Sequence, residues 1–178
     1  MSLPPHSRVW IVGARGLLGT ALCGLLPRED VVAFDPAFGA GEGGIAACVQ
    51  MPGVVENALV GGAPEVVFFC AATHGGDVEA YRRAYREPVQ TVAAVAPGAR
   101  LVFCSSTSVY EGQGDVTEDS PTPGSTAKWR VLLEAEQATL AAGGVVYTLG
   151  SQLDVILYDV DIATRKITFE PKAKDARG

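Results

Sequence analysis

Gly13, Gly16 and Gly19 follow directly on the apolar run Val9 to Val12 and lead into the helical stretch Leu17 to Leu26, an arrangement suited to holding an anionic diphosphate. In such a turn Gly13 lets the chain leave the strand sharply, Gly16 lets the backbone approach a phosphate with no Cβ in the way, and Gly19 lets the helix pack closely on the strand. The amides of the first helical turn, at Leu17 and Leu18, then face the anion. A second apolar run, Val31 to Phe34, ends in Asp35, 22 positions beyond Gly13 and near the spacing of an acid that holds adenosine ribose hydroxyls. In a chain with 21 glycines a spaced triplet alone is weak evidence, and the flanking strand, helix and acid are what give it meaning. Asp35 favours NAD, because a carboxylate bonds the ribose hydroxyls and repels a 2′-phosphate. Arg15, just before the second glycine, is the cation that would meet such a phosphate and makes NADP the alternative; its other reading is a solvated loop residue.

These residues need a frame of alternating strands and helices. After Asp35 comes a glycine-rich connection and a weak apolar stretch, Ile45 to Val49, the least distinct of the expected strands. Pro52 to Val60 reads as a short helix, with proline tolerated in its first turn and Val54, Val55 and Leu59 on one side. Glu65 to Cys70 and Leu101 to Cys104 are continuous apolar runs, as expected of strands covered on both faces. Asp77 to Ala96 has helical periodicity, with Pro88 set to bend or divide it. A long polar loop from Ser105 to about Gly124 precedes a helix over Thr126 to Ala142, stopped by Gly143 and Gly144, and then the strand Val145 to Leu149. The alternation predicts a Rossmann-like, doubly wound α/β fold: a parallel sheet with right-handed crossovers and helices on both faces. Residues 1–150 form this domain. Residues 151–178 read as a β-rich extension, two alternating runs (Val155 to Val160 and Lys166 to Phe169) closing a hairpin, with one strand extending the main sheet and a frayed lysine-rich end.

Composition narrows the function classes. At 178 residues, 48% hydrophobic and 19% charged, the chain is globular and long enough for one sizeable core. A net charge of −6 without a Lys/Arg cluster gives no electrostatic footprint for nucleic acid. The N-terminal MSLPPHSR has no apolar core of signal-peptide length and no run elsewhere approaches the ~18 residues of a membrane span, so the expectation is a cytoplasmic protein without a membrane partner. Cys23, Cys48, Cys70 and Cys104 lack CxxC spacing, and His6 and His74 stand apart, so neither disulfides nor a metal site are expected.

The segments GARGLLG, VVFFCAAT (Val66 to Thr73), LVFCSSTSVY (Leu101 to Tyr110) and TEDSPTP (Thr117 to Pro123), together with Asp35, resemble in order those of the extended short-chain dehydrogenase/reductase family, the NAD-dependent epimerase/dehydratases. The resemblance covers about Val9 to Leu149. It implies that Ala71 and Ala72 line the ribose and nicotinamide side and that Ser105 and Ser106 lie beside the nicotinamide. Ser106, four positions before Tyr110, matches the serine or threonine that hydrogen-bonds a substrate hydroxyl or carbonyl. The plainer reading is that Ser105 to Ser108 are turn residues capping a strand end.

The chain departs from the family at the proton-transfer pair, a tyrosine four residues before a lysine whose charge favours phenolate. Four residues before Lys128 is Gly124, and aligning on Glu134 and Glu136 instead puts Thr126 and Arg130 in the two places. Threonine is too weakly acidic to replace the phenol, and arginine stays charged without accepting a proton. The C-terminal substrate lobe of the family is also unmatched here. Two classes of function follow. One is an oxidoreductase or epimerase-like enzyme acting on a nucleotide sugar or small carbonyl compound, with Ser106 orienting the substrate and Lys128 or Arg130 holding the ribose. The other is a catalytically degenerate dinucleotide-binding or dimeric interaction module, with the two long helices pairing across a twofold axis; their apolar stripes would equally suit ordinary packing on the sheet.

Overall fold

The computed structural model describes residues 8–73, 75–110, 115–116 and 120–147, and the backbone of 155–161 and 166–171. Four apolar runs form strands β1 (Val9–Val12), β2 (Val31–Phe34), β3 (Val66–Phe69) and β4 (Arg100–Cys104), and a fifth, β5, spans Val145–Tyr147. All pair in parallel in the order β2-β1-β3-β4-β5, with Val9 opposite both Val31 and Val66, and Phe69 opposite Phe103. The expected strand at Ile45 to Val49 is reduced to one parallel rung, Phe34 to Ile45, at the free edge of β2. Its cause is local: glycines precede the rung, Pro52 follows closely, and Ala46 to Cys48 offer little bulk to hold a ladder. With that rung counted as a strand, the order is that of a doubly wound dinucleotide-binding sheet.

Helices cover both faces. On one side lies α1 (Leu17–Leu25), whose Leu22 and Cys23, with neighbouring Leu26, pack on Val9 and Ile11. The opposite side carries the larger core, where Trp10, Phe34, Val67, Leu101 and Phe103 meet α2 (Val54–Leu59), α4 (Glu87–Val95) and α5 (Ala127–Ala141). Trp10 is fully buried and meets Phe34 edge-on at 5.2 Å.

Pro88 neither ends nor splits its helix, which runs on through a π-helical turn. The stretch opens with α3 (Val78–Tyr81), capped by Asp77 Oδ1 accepting from Ala80 N–H at 2.9 Å, passes through a wide π-helical segment at Arg82–Arg86, and resumes as α4 with the proline in its first turn. The wider turn accommodates a ring that cannot donate to the preceding turn. At the end of α5, Gly143 has φ +74°, Gly144 N–H donates to Thr139 C=O and Gly143 N–H to Leu140 C=O, both at 2.9 Å, so the last carbonyls are satisfied by a left-handed cap.

The polar loop after β4 begins with a 3₁₀ turn at Thr107–Tyr110, which the sequence reading treats as irregular; Val109 and Tyr110 are buried and anchor it. The C-terminal runs form β6 (Val155–Asp161) and β7 (Lys166–Pro171), which pair antiparallel as a separate two-stranded sheet. The hairpin is as expected; the extension of the main sheet is not. A short connection closes the local pairing at low entropic cost, and that pairing occupies one edge of each strand. Positions 172–178 of the lysine-rich end expected to fray, His6, His74 and positions 117–119 of the TEDSPTP segment lie outside the described residues. Among the described residues no helix is long and apolar enough to cross a membrane.

Candidate dinucleotide site

The glycine loop sits at the carboxyl end of β1, where the chain goes to β2 on one side and β3 on the other, the crevice in which doubly wound sheets bind ligands. Gly13 and Ala14 amides donate to Phe34 C=O at 2.9 and 3.2 Å, fastening the loop to the end of β2. Gly13 has φ +85°, and a Cβ there would stand 2.5 Å from Ala71 Cα. At Gly19 a Cβ would lie 2.7 Å from Ala14 Cα. These two glycines are therefore required by close backbone approach. Gly16 differs: its backbone is extended, and the nearest atom to a Cβ would be Gly13 O at 3.3 Å, with the outward side open.

Helix α1 begins at Gly16 with no side-chain cap, so its first-turn amides, including Leu17 and Leu18, have no protein oxygen supplied by a capping residue. The side chains of Leu17 and Leu18 are exposed, 90% in the case of Leu17, which leaves the turn open to a ligand. Asp35 supports the loop directly. Its Oδ2 accepts from Arg15 N–H at 3.0 Å and its Oδ1 from Ala37 N–H at 2.9 Å.

Ala71 and Ala72 follow β3 on the other side of the crevice, Ala71 against Gly13. Their segment is held by Tyr85, whose phenolic oxygen accepts from Thr73 N–H at 3.1 Å. Burial pushes that phenol above its ordinary range, so it stays neutral. Beneath them Cys70 and Cys104 end adjacent strands as free thiols. A hydrogen bond to Cys104, reinforced by burial, raises the Cys70 thiol and keeps it protonated.

Just beyond the carboxyl end of β4 the serines are engaged locally. Ser106 Oγ accepts from Ser108 N–H at 3.2 Å and donates to Ser108 Oγ at 3.0 Å, the turn-capping role. Ser105 Oγ donates to Glu136 Oε1 on α5, a partner that sequence reasoning does not assign. Its signal is present in the spacing, because Glu136 lies on the same helical face as the buried Leu132 and Thr139. Burial raises the Glu136 carboxyl above its ordinary value, partly offset by the Ser105 hydrogen bond. Because the folded state holds this proton more tightly than the unfolded chain, the carboxyl costs stability as pH rises from about 4.5 upward. Glu136→Gln, which keeps an acceptor for Ser105, is expected to raise the thermal midpoint at pH 7 and to leave it nearly unchanged near pH 4. Thermal unfolding of both proteins across pH 4–8 checks this; a lower midpoint for the variant at pH 7 contradicts it.

Lys128 Nζ stands 5.6 Å from the centroid of the Tyr81 ring, a cation–π contact. Arg130 is exposed at the start of α5. Gly124, four residues before Lys128, is buried with φ +60°, and a Cβ there would lie 3.1 Å from Leu133 Cδ1, while Thr126, four residues before Arg130, caps α5, its Oγ1 accepting from Trp129 N–H at 3.4 Å. Neither of these two positions carries a phenol. Among the described residues no hydrogen bond or ion pair joins Ser106 to Lys128 or Arg130, and no group of three or more His, Cys, Asp or Glu could hold a metal ion.

Sheet order, glycine loop and strand-end acid together define a Rossmann-type domain. No protein-family model matches the chain, and no curated protein does. Solved structures do match. A hypothetical dTDP-4-dehydrorhamnose reductase from Sulfolobus tokodaii is 21% identical, with a TM-score of 0.64 over 79% of this chain and 55% of its own. A short-chain dehydrogenase/reductase superfamily protein from Agrobacterium tumefaciens with bound NAD is 21% identical, TM-score 0.64, over 78% and 48%. A dTDP-4-dehydrorhamnose reductase from Bacillus anthracis in complex with NADP is 22% identical, TM-score 0.60, over 83% and 54%. The chain thus spans about half the length of these structures, and the likeness establishes the fold.

Proposed function

We propose that residues 1–150 are an NAD(H)-binding domain of the epimerase/dehydratase type, with NADP as the alternative cofactor and residues 151–178 as an appended hairpin. The observation that carries this is the cradle at the switch point: two glycines that backbone packing requires, a third with open space outside it, and an uncapped helix start beside Asp35. The fit is chemical as well as steric. First-turn amides and the α1 dipole suit a pyrophosphate, and Asp35 suits ribose hydroxyls. Gly13, Arg15, Gly16, Leu17, Leu18, Gly19 and Asp35 would hold the adenosine and pyrophosphate, while Ala71, Ala72 and Ser105 would border the nicotinamide side. The cofactor, when bound, supplies hydride transfer to or from a carbonyl or carbinol carbon. For an oxidoreductase or epimerase acting on a nucleotide sugar or small carbonyl compound, Ser106 would orient the substrate oxygen, and Lys128 or Arg130 would hold the ribose.

A second reading, a dinucleotide-binding module without catalysis, is favoured by the proton-transfer pair: neither Gly124 nor Thr126, the two positions open to the phenol, supplies one, and Lys128 is turned to the Tyr81 ring. A homodimer through α4 and α5 belongs to the same reading, and light scattering tests it. A cytoplasmic setting accords with four free cysteines.

Calorimetric titration of the purified chain is expected to give saturable 1:1 binding of NAD or NADH. Absence of binding by both dinucleotides and their phosphorylated forms overturns the proposal. Turnover of NADH with a panel of nucleotide sugars then separates the enzyme from the silent module.

A further inference from the structure

The segment between β2 and the Ile45 rung folds into a small latch over Arg15. Phe38 N–H donates to Asp35 C=O at 3.2 Å, and the Phe38 ring lies against Gly44 so closely that a Cβ there would overlap it. Glu42 closes the turn, its Oε2 accepting from Gly39 N–H at 2.6 Å. Its other oxygen, Oε1, faces Arg15 Nη1 at 3.4 Å, while the Arg15 guanidinium stands 5.7 Å from the centroid of the Phe38 ring. Arg15 is therefore parked, with one face on an aromatic ring and an edge on a carboxylate. Its own backbone N–H is held by Asp35.

This matters for the choice between the two dinucleotides, which differ by one phosphate on the adenosine 2′-oxygen. Asp35 alone disfavours that phosphate, whereas Arg15 is the glycine-loop cation that would welcome it. We propose that Glu42 decides the contest: by engaging Arg15 and adding a second carboxylate on the Asp35 side of the loop, it makes the adenosine end accept a 2′-hydroxyl and refuse a 2′-phosphate. This rests on the reading of the glycine loop as a dinucleotide site. Glu42 acts through Arg15, as a specificity-determining residue with no part in hydride chemistry. The short connection 36–44 is thus a selective wall of the site, and Phe38 is the platform that keeps Arg15 within reach of Glu42.

The test compares NAD and NADP affinities by calorimetry for the wild type, Glu42→Gln, and Glu42→Gln combined with Arg15→Gln. Glutamine at 42 retains an acceptor for Gly39 N–H, so the turn is kept while the charge is removed. The wild type is expected to bind NAD more tightly than NADP. In Glu42→Gln the ratio of NADP to NAD affinity is expected to rise by about 5- to 10-fold, as one charge-assisted contact becomes available to the phosphate. In the double variant that rise is expected to vanish. An unchanged ratio in Glu42→Gln, a rise that survives loss of Arg15, or a wild type that prefers NADP each overturns the role of Glu42 while leaving the dinucleotide site standing. A wild type that binds neither ligand overturns both.

Discussion

Gly16→Asp is expected to abolish measurable dinucleotide binding while leaving the fold as stable as before or slightly more so. The two effects have opposite signs for one reason. Gly16 is the N-cap of α1, has φ −71° and ψ 173°, and offers no side chain to the first-turn amides. Aspartate is among the best N-cap residues, and supplying it in place of glycine contributes roughly a few tenths of a kcal/mol to helix stability. Its Cβ would meet Gly13 O at 3.3 Å, which requires a shift of a few tenths of an ångström, and Cys70 O at an ordinary contact distance of 3.8 Å. The new carboxylate then occupies the amides that a pyrophosphate would use, and it places like charge beside the phosphates. Repulsion of ~3 kcal/mol or more at such short range corresponds to a loss of at least ~100-fold in affinity. Calorimetry and thermal unfolding of the same sample read both effects. Binding within tenfold of the wild type would place the pyrophosphate elsewhere.

Gly13→Ala is expected to be the most destabilising single methyl in the domain. At φ +85° any L-residue is strained by ~1–2 kcal/mol, and the added Cβ would meet main-chain atoms of Ala71 and Cys70, which no side-chain rotation can relieve. Forced separation of the β1 turn from the end of β3 adds ~1–3 kcal/mol, for a total of ~2–5 kcal/mol. That is a large share of the ~5–15 kcal/mol stability of an ordinary domain. Gly41→Ala is the matched control, with φ +84° and nothing within 4 Å of its Cβ, so only the conformational strain of ~1–2 kcal/mol remains. Urea unfolding of both variants isolates the packing contribution; equal losses would mean that the approach of Ala71 does not constrain Gly13.

Much of this molecule is legible in its sequence because its logic is local. Strands covered on both faces must be continuous apolar runs, and VWIV, VVFF and LVFC fulfil that requirement, with β4 beginning one residue earlier at the exposed Arg100. A chain that turns from a strand into a helix packed against it needs glycine at fixed offsets, so Gly13 and Gly19 announce their own geometry. Pro88 likewise signals a disturbance of its helix through the missing N–H, though not that a π-helical turn would absorb it without a break.

Other features depend on partners distant in the chain. Ser105 meets Glu136 31 positions later, and Arg15 meets Glu42 27 positions later, pairings that exist only once α5 lies on β4 and the 36–44 segment folds beside the glycine loop. The serine motif reads from sequence either as a substrate-orienting element or as a turn cap, and in the fold one hydroxyl caps a turn while the other joins a helix. Whether the run at 45–49 formed a strand, and whether β6 and β7 joined the main sheet, was settled by competition among possible pairings. The sequence by itself determined the strand–glycine–helix–acid cradle, since close backbone approach and apolar burial dictate residue types at short spacing. Tertiary structure alone decided which charges and hydroxyls are already engaged around that cradle, because Coulomb and hydrogen-bond energies depend on distances that chain order does not contain.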